Sequence, residues 1–170
     1  AGDAFTGSLT RETGEVVGSY AINQGTLTLG GNYAITFVPG KLTIIYDFPG
    51  FLQPINDTAH ARVCVENCTL SVFKAGSTIP VKFQILNASG QPVQAKTAPV
   101  WMTPIKGSTI QQAIDEVASY DAATTGNTFR FDGSQYIYNW STKGLKAGIY
   151  YIIGVTLDDG KQYVVIIGLK

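Results

Sequence analysis

Between Ser71 and Leu86 the chain reads SVFKAGSTIPVKFQIL, and no other stretch constrains the fold as tightly. Ile79, Val81, Phe83 and Ile85 alternate with Pro80, Lys82 and Gln84. A period of two is the mark of a strand with one buried and one wet face. The turn Lys74-Ala75-Gly76-Ser77 separates this strand from a short apolar run before it. The stretch predicts an inner strand of a sandwich, with Lys82 facing outward and further sheet built onto it.

The rest of the chain repeats that rhythm. Strands are expected at Phe5–Arg11, Val16–Ile22, Thr26–Leu29, Tyr33–Phe37 and Leu42–Ile44, each closed by a glycine or proline turn. Turns about every ten residues are the all-β spacing. Later, Thr128–Phe131 and Tyr136–Trp140 flank Asp132-Gly133, and Ile149–Leu157 and Lys161–Leu169 flank Asp158-Asp159-Gly160. Both are hairpin signals. Ser108–Ser119 is the exception. Ile110, Ala113, Ile114 and Val117 have helical spacing, so at most one short helix is expected, near residues 109–118.

Composition excludes several partners. The 170 residues hold 12 basic and 12 acidic side chains, with 14% charged in total. A zero balance without a Lys/Arg cluster gives no support for nucleic acid. No apolar run reaches the roughly 20 residues of a membrane helix, so no membrane insertion is expected. Ala1-Gly2-Asp3 does not look like a signal peptide. Cys64 and Cys68 are the only cysteines. A local disulfide between them is expected if the backbone curls tightly, two free thiols being the alternative. With His60 they fall short of the four ligands of a zinc site.

Two resemblances refine this reading. Gly7-Ser8-Leu9-Thr10-Arg11, Gly14-Glu15, Gly18-Ser19-Tyr20-Ala21-Ile22, Gly25-Thr26-Leu27, Asn32-Tyr33 and Leu42-Thr43-Ile44 resemble the second half of the MBG repeats of bacterial surface proteins. About 45 residues cannot bury a full core alone. Such a half-repeat would expose strand edges that a complete one covers. Phe5, Leu9, Arg11, Leu42 and Ile44 are therefore candidate positions for strand complementation by a neighbouring module or a copy of the chain.

The remainder resembles the PxKF-type immunoglobulin-like domain of bacterial secreted proteins. The matching residues are Phe48, Gly50-Phe51, Pro54-Ile55, Lys74–Ser77, Ile79–Phe83, Tyr136-x-Tyr138-x-Trp140, Ala147-Gly148 and Val155–Gly160. Family members often carry cysteines where this chain has Trp101-Met102 and Ile149-Tyr150, so a bridge between sheets is not expected. The resemblances imply residues 1–46 as a partial MBG-like β-module and residues 47–170 as an immunoglobulin-like antiparallel β-sandwich. The aromatic stretch Phe48–Ile55 then reads as a packed joint rather than a flexible linker.

Candidate chemistry is sparse. Tyr136, Tyr138, Tyr150, Tyr151 and Tyr163 are candidate carbohydrate contacts, because aromatic rows on a flat face stack against sugar rings. The competing reading, favoured by the family pattern, puts Tyr136, Tyr138 and Trp140 in the core. Asp121, Asp132, Asp158 and Asp159 sit in turns without the Asp-x-Asp-x-Asp spacing of a calcium loop. No cofactor is expected, a structural calcium being the one alternative. His60 lacks a nucleophile motif nearby, and adjacent Asp115 and Glu116 point different ways. A Lys82–Asn139 cross-link is disfavoured by the outward Lys82. The sequence thus predicts no enzyme. It predicts a structural or adhesive extracellular module touching protein or surface glycan, or alternatively a carbohydrate-binding accessory of a secreted enzyme.

Overall fold

The computed structural model describes residues 4–55, 69–109, 112–115 and 121–170. The chain divides into two compact units, Ala1–Tyr46 and Asp47–Lys170. All regular structure in the described residues is β-strand.

The first unit is a three-stranded antiparallel sheet of β1 (Thr10–Arg11), β2 (Gly18–Asn23) and β3 (Gly40–Ile44), in that order. Arg11 pairs with Ile22, Tyr20 with Leu42 and Gly18 with Ile44. Strand alternation puts Arg11, Tyr20, Ile22, Leu42 and Ile44 on one face. Thr10, Ser19, Ala21, Asn23, Lys41 and Thr43 share the other. The sheet is therefore amphipathic, yet only Tyr20 is buried among the large apolar residues of this unit that the structure describes. Its ring lies against the loop before β2. Gly14, at φ +146, has no room for a Cβ there, and the phenol donates to the Val16 carbonyl at 2.7 Å.

Two expected strands of this unit do not form. Thr26–Leu29 contributes only a single bridge, Thr28 to Thr6. Tyr33–Phe37 joins no ladder. Its alternation is right for a strand, but a strand also needs a neighbouring backbone to satisfy its amides and carbonyls.

The second unit is a sandwich. One sheet runs β4 (Phe51–Leu52), β6 (Thr78–Phe83), β10 (Tyr136–Ser141), β9 (Arg130–Phe131). The other runs β7 (Val100–Thr109), β11 (Ile149–Thr156), β12 (Gln162–Leu169), β5 (Thr69–Phe73), β8 (Gln112–Asp115). The opening segment is split between the sheets: β4 pairs antiparallel with β6, and β5 pairs parallel with β12. With β4 as A, this is the A-B-E-D and C-F-G order of the immunoglobulin sandwich.

The short helix expected near residues 109–118 is absent from the described part of that stretch, where β8 stands instead. β8 pairs in parallel with β5, Thr69 with Gln112 through Val72 with Asp115. The free edge of β5 offers backbone partners to this segment, and that tertiary pairing outweighs a weak helical period. Only three Cα steps, about 11 Å, separate the end of β7 from the start of β8. In a flat sheet these two edge strands would lie about 19 Å apart. The sheet must therefore coil. Consistent with this, Leu70, Val72 and Ile166 are buried on the face turned away from the sandwich core, with Tyr150 and Ile152 packed against them.

Candidate functional site

The motif strand β6 is alternately buried and half-buried, as its pattern predicts. Ile79, Val81 and Phe83 face the core, while Pro80 and Lys82 face outward. The proline is tolerated for a reason that the register makes plain. Pro80 pairs with Asn139, but the Asn139 amide and carbonyl are both engaged on the other side, by Thr124. The pair is therefore the non-hydrogen-bonded kind, in which neither backbone nitrogen serves the shared ladder. Lys82 pairs with Ile137 and Leu52 on the outer face.

Every candidate sugar-stacking tyrosine has a structural position. Tyr136 (2% exposed), Tyr138 and Tyr151 are buried. Tyr136 stacks on Phe83 at 5.1 Å, and its phenol oxygen accepts the Ala95 amide at 2.7 Å. Tyr138 stacks on Trp101 of the opposite sheet at 4.5 Å and 6°, and donates to the Gly126 carbonyl. Burial raises both phenol pKa values, with the Asp158 charge adding to the effect at Tyr136. The Tyr151 oxygen accepts from the Lys146 amide and donates to the Lys146 carbonyl. That bond to backbone five residues upstream, at the start of β11, is the tyrosine corner of immunoglobulin-like sandwiches.

Tyr150 and Tyr163 are half-buried. Tyr163 stacks on Phe48 at 3.9 Å. Tyr150 lies over Gly107, where a Cβ would overlap its ring. By alternation along paired β11 and β12, Tyr150 and Tyr163 belong to opposite faces, since Tyr163 pairs with Val155. The five tyrosines therefore form no common flat platform: three are core and the other two are divided. Phe48, Phe51 and Ile55 are also buried, so the expected joint is part of the sandwich core.

Asp132 and Asp159 are bound by their own turns, and Asp158 by a more distant backbone amide. Asp132 accepts from the Ser134 and Gln135 amides, the Ser134 hydroxyl and the Gln135 side-chain amide. These bonds hold its carboxyl well below the usual carboxylate range. Asp158 accepts the Thr97 amide and Asp159 the Lys161 amide. Among the described residues no group of three His, Cys, Asp or Glu side chains is placed to hold an ion. His60, Cys64, Cys68 and Glu116 lie outside the described residues, as does the side chain of Asp115.

The exposed apolar surface is unevenly distributed. Among the described residues, Phe5, Leu9, Val16 (74%), Tyr33, Val38 (80%), Leu42 (37%) and Ile45 stand exposed in the first unit. Among its described residues, the much larger second unit exposes only Val100 and Ile105. The two edges of the first sheet also differ. At β1, the Arg11 guanidinium donates to the Glu12 and Gly14 carbonyls and pairs with Glu15, and it sits 5.7 Å from the Tyr20 ring centre. At β3 the outer edge is unpaired among the described residues and carries one charge, Lys41. The long β7 edge is blunted: β7 gains an extra residue against β11 at two places, and such bulges twist an edge away from pairing. Sequence reasoning proposed the edge residues of the first unit but missed this asymmetry, which depends on where Arg11 folds back.

Residues 1–43 match the family model of the MBG domain (YGX type). No curated protein and no solved structure matches the chain at a significant level.

Proposed function

We infer that this chain is a non-catalytic structural or adhesive part of an extracellular or cell-surface bacterial protein. Its second unit is a PxKF-type immunoglobulin-like domain that acts as a closed, rigid support. Its first unit is a partial MBG domain that contacts protein, accepting a further strand or layer from a neighbouring module. One observation carries the reading: apolar surface is left exposed on an amphipathic sheet in the first unit, while the second buries most of its described aromatic residues. A sheet with one apolar face is stable only when a second layer covers it. The match of residues 1–43 to the MBG domain supports the extracellular setting.

The test is paired. An array of eight-residue peptides with alternating apolar and polar positions should yield binders, and Leu42→Lys should abolish their binding. A glycan array and a panel of ester, peptide and glycoside substrates should give no response. Glycan hits lost on Tyr150→Ala or Tyr163→Ala would instead favour a carbohydrate-binding accessory module.

A further inference from the structure

We propose that the exposed edge of β3 pairs with β3 of a second copy of this chain, antiparallel and two-fold symmetric about Leu42. This deepens the contact role assigned above to the first unit and rests on it.

Three observations lead to the second copy. First, of the two edges of the sheet, β3 alone is suited to pairing. β1 is two residues long and its Arg11 is folded onto neighbouring carbonyls, whereas β3 runs five residues with a single lysine. Charge and short length are how natural sheets close an edge, so the chain protects one side and not the other.

Second, β3 is self-complementary, and the register centred on Leu42 is the one that uses all five of its residues. Centring the pair on Leu42 sets Leu42 against Leu42, Gly40 against Ile44 and Lys41 against Thr43. The apolar members fall on the face that already carries Tyr20 and Ile22, so the apolar face continues across the junction. A slip of one residue would put apolar side chains opposite polar ones. Centring on Lys41 would oppose two like charges, which is destabilising. The Leu42 register avoids both faults and uses all five residues.

Third, net charge does not oppose the encounter, and the two Lys41 side chains meet only as diagonal neighbours on the polar face. The chain has zero formal charge, and the one charge on the apolar face, Arg11, is matched by Glu15 of its own chain. The symmetry is closed, since each copy uses its β3 once, so pairing stops at a dimer.

The experiment is sedimentation equilibrium on the intact chain across a wide concentration range, with two variants. Wild type should move from the 18.2 kDa chain mass toward twice that mass as concentration rises. Leu42→Lys, at an exposed position, should keep the fold by circular dichroism and weaken self-association at least tenfold. Leu9→Lys changes an exposed apolar residue just before β1, and should dimerise like wild type. A wild-type chain that stays monomeric throughout overturns the proposal. So does loss of the dimer in Leu9→Lys with retention in Leu42→Lys. Either outcome leaves the broader contact role standing if strand peptides still bind, so the two failures are distinguishable.

Discussion

Replacing Tyr136 by phenylalanine isolates one buried hydrogen bond. The ring, its stacking on Phe83 at 5.1 Å and its contact with Phe131 at 4.9 Å all remain. What is lost is the phenol oxygen that accepts the Ala95 amide at 2.7 Å. Both residues are buried, so that amide is left without a partner away from water. An orphaned buried donor costs about 1–3 kcal/mol. For a unit of this size, 1 kcal/mol corresponds to roughly 4 °C in Tm, so the loss is about 4–12 °C. Thermal unfolding followed by near-ultraviolet circular dichroism reads it directly. Tyr150→Phe is the control: that phenol is half-buried and its ring does the packing, so the change should stay within about 0.5 kcal/mol. A neutral Tyr136→Phe beside a costly Tyr150→Phe would refute the assignment of Tyr136 to the core.

The same geometry sets the pH response. The Tyr136 and Tyr138 phenols hold their protons above the ordinary value of 10.0, so stability is full below pH 10 and declines as pH rises beyond it. Spectrophotometric titration should show tyrosines ionising late, and Tyr136→Phe should remove part of the decline. Asp132 behaves oppositely: its lowered pKa contributes stability above its ordinary value near 3.8, which is lost as pH falls below it. Asp132→Asn should flatten that acid limb of the stability curve. Gly154→Ala places a Cβ against the Tyr163 carbonyl, and should cost about 1–3 kcal/mol by overpacking, read by denaturant midpoint. Gly107→Ala should destabilise through overlap with the Tyr150 ring, and much of that loss should vanish in a Tyr150→Ala background.

Much of the second unit was legible in the chain. The alternation of Ile79 to Ile85 fixes which side of β6 is buried, and the Asp-Gly pairs mark both hairpins. The core position of Tyr136, Tyr138 and Trp140 is the reading that the family pattern favours, and their pairing with Phe83, Val81 and Ile79 accounts for it. What escaped was whatever depends on partners far away in sequence. Tyr33–Phe37 alternates like a strand but joins no ladder of the first sheet. Residues 112–115 lie in a helix-like pattern but find the open edge of β5. The coil of that sheet shows only when the short link from β7 to β8 is set against the number of strands between them. The preference for β3 over β1 as the open edge needs the folded position of the Arg11 guanidinium. No spacing rule supplies that.

The central claim is that the first unit has an open sheet edge and the second is a packed sandwich. Residue-resolved amide hydrogen exchange on dilute chain tests it most directly. Amides of β11 and β12, each flanked by strands on both sides, should be protected to the level of global unfolding. The β3 amides that point away from β2 should exchange at rates close to those of exposed loops. Outward β3 amides as well protected as those of Ile153 and Val165, in a chain shown to be monomeric, would contradict the account.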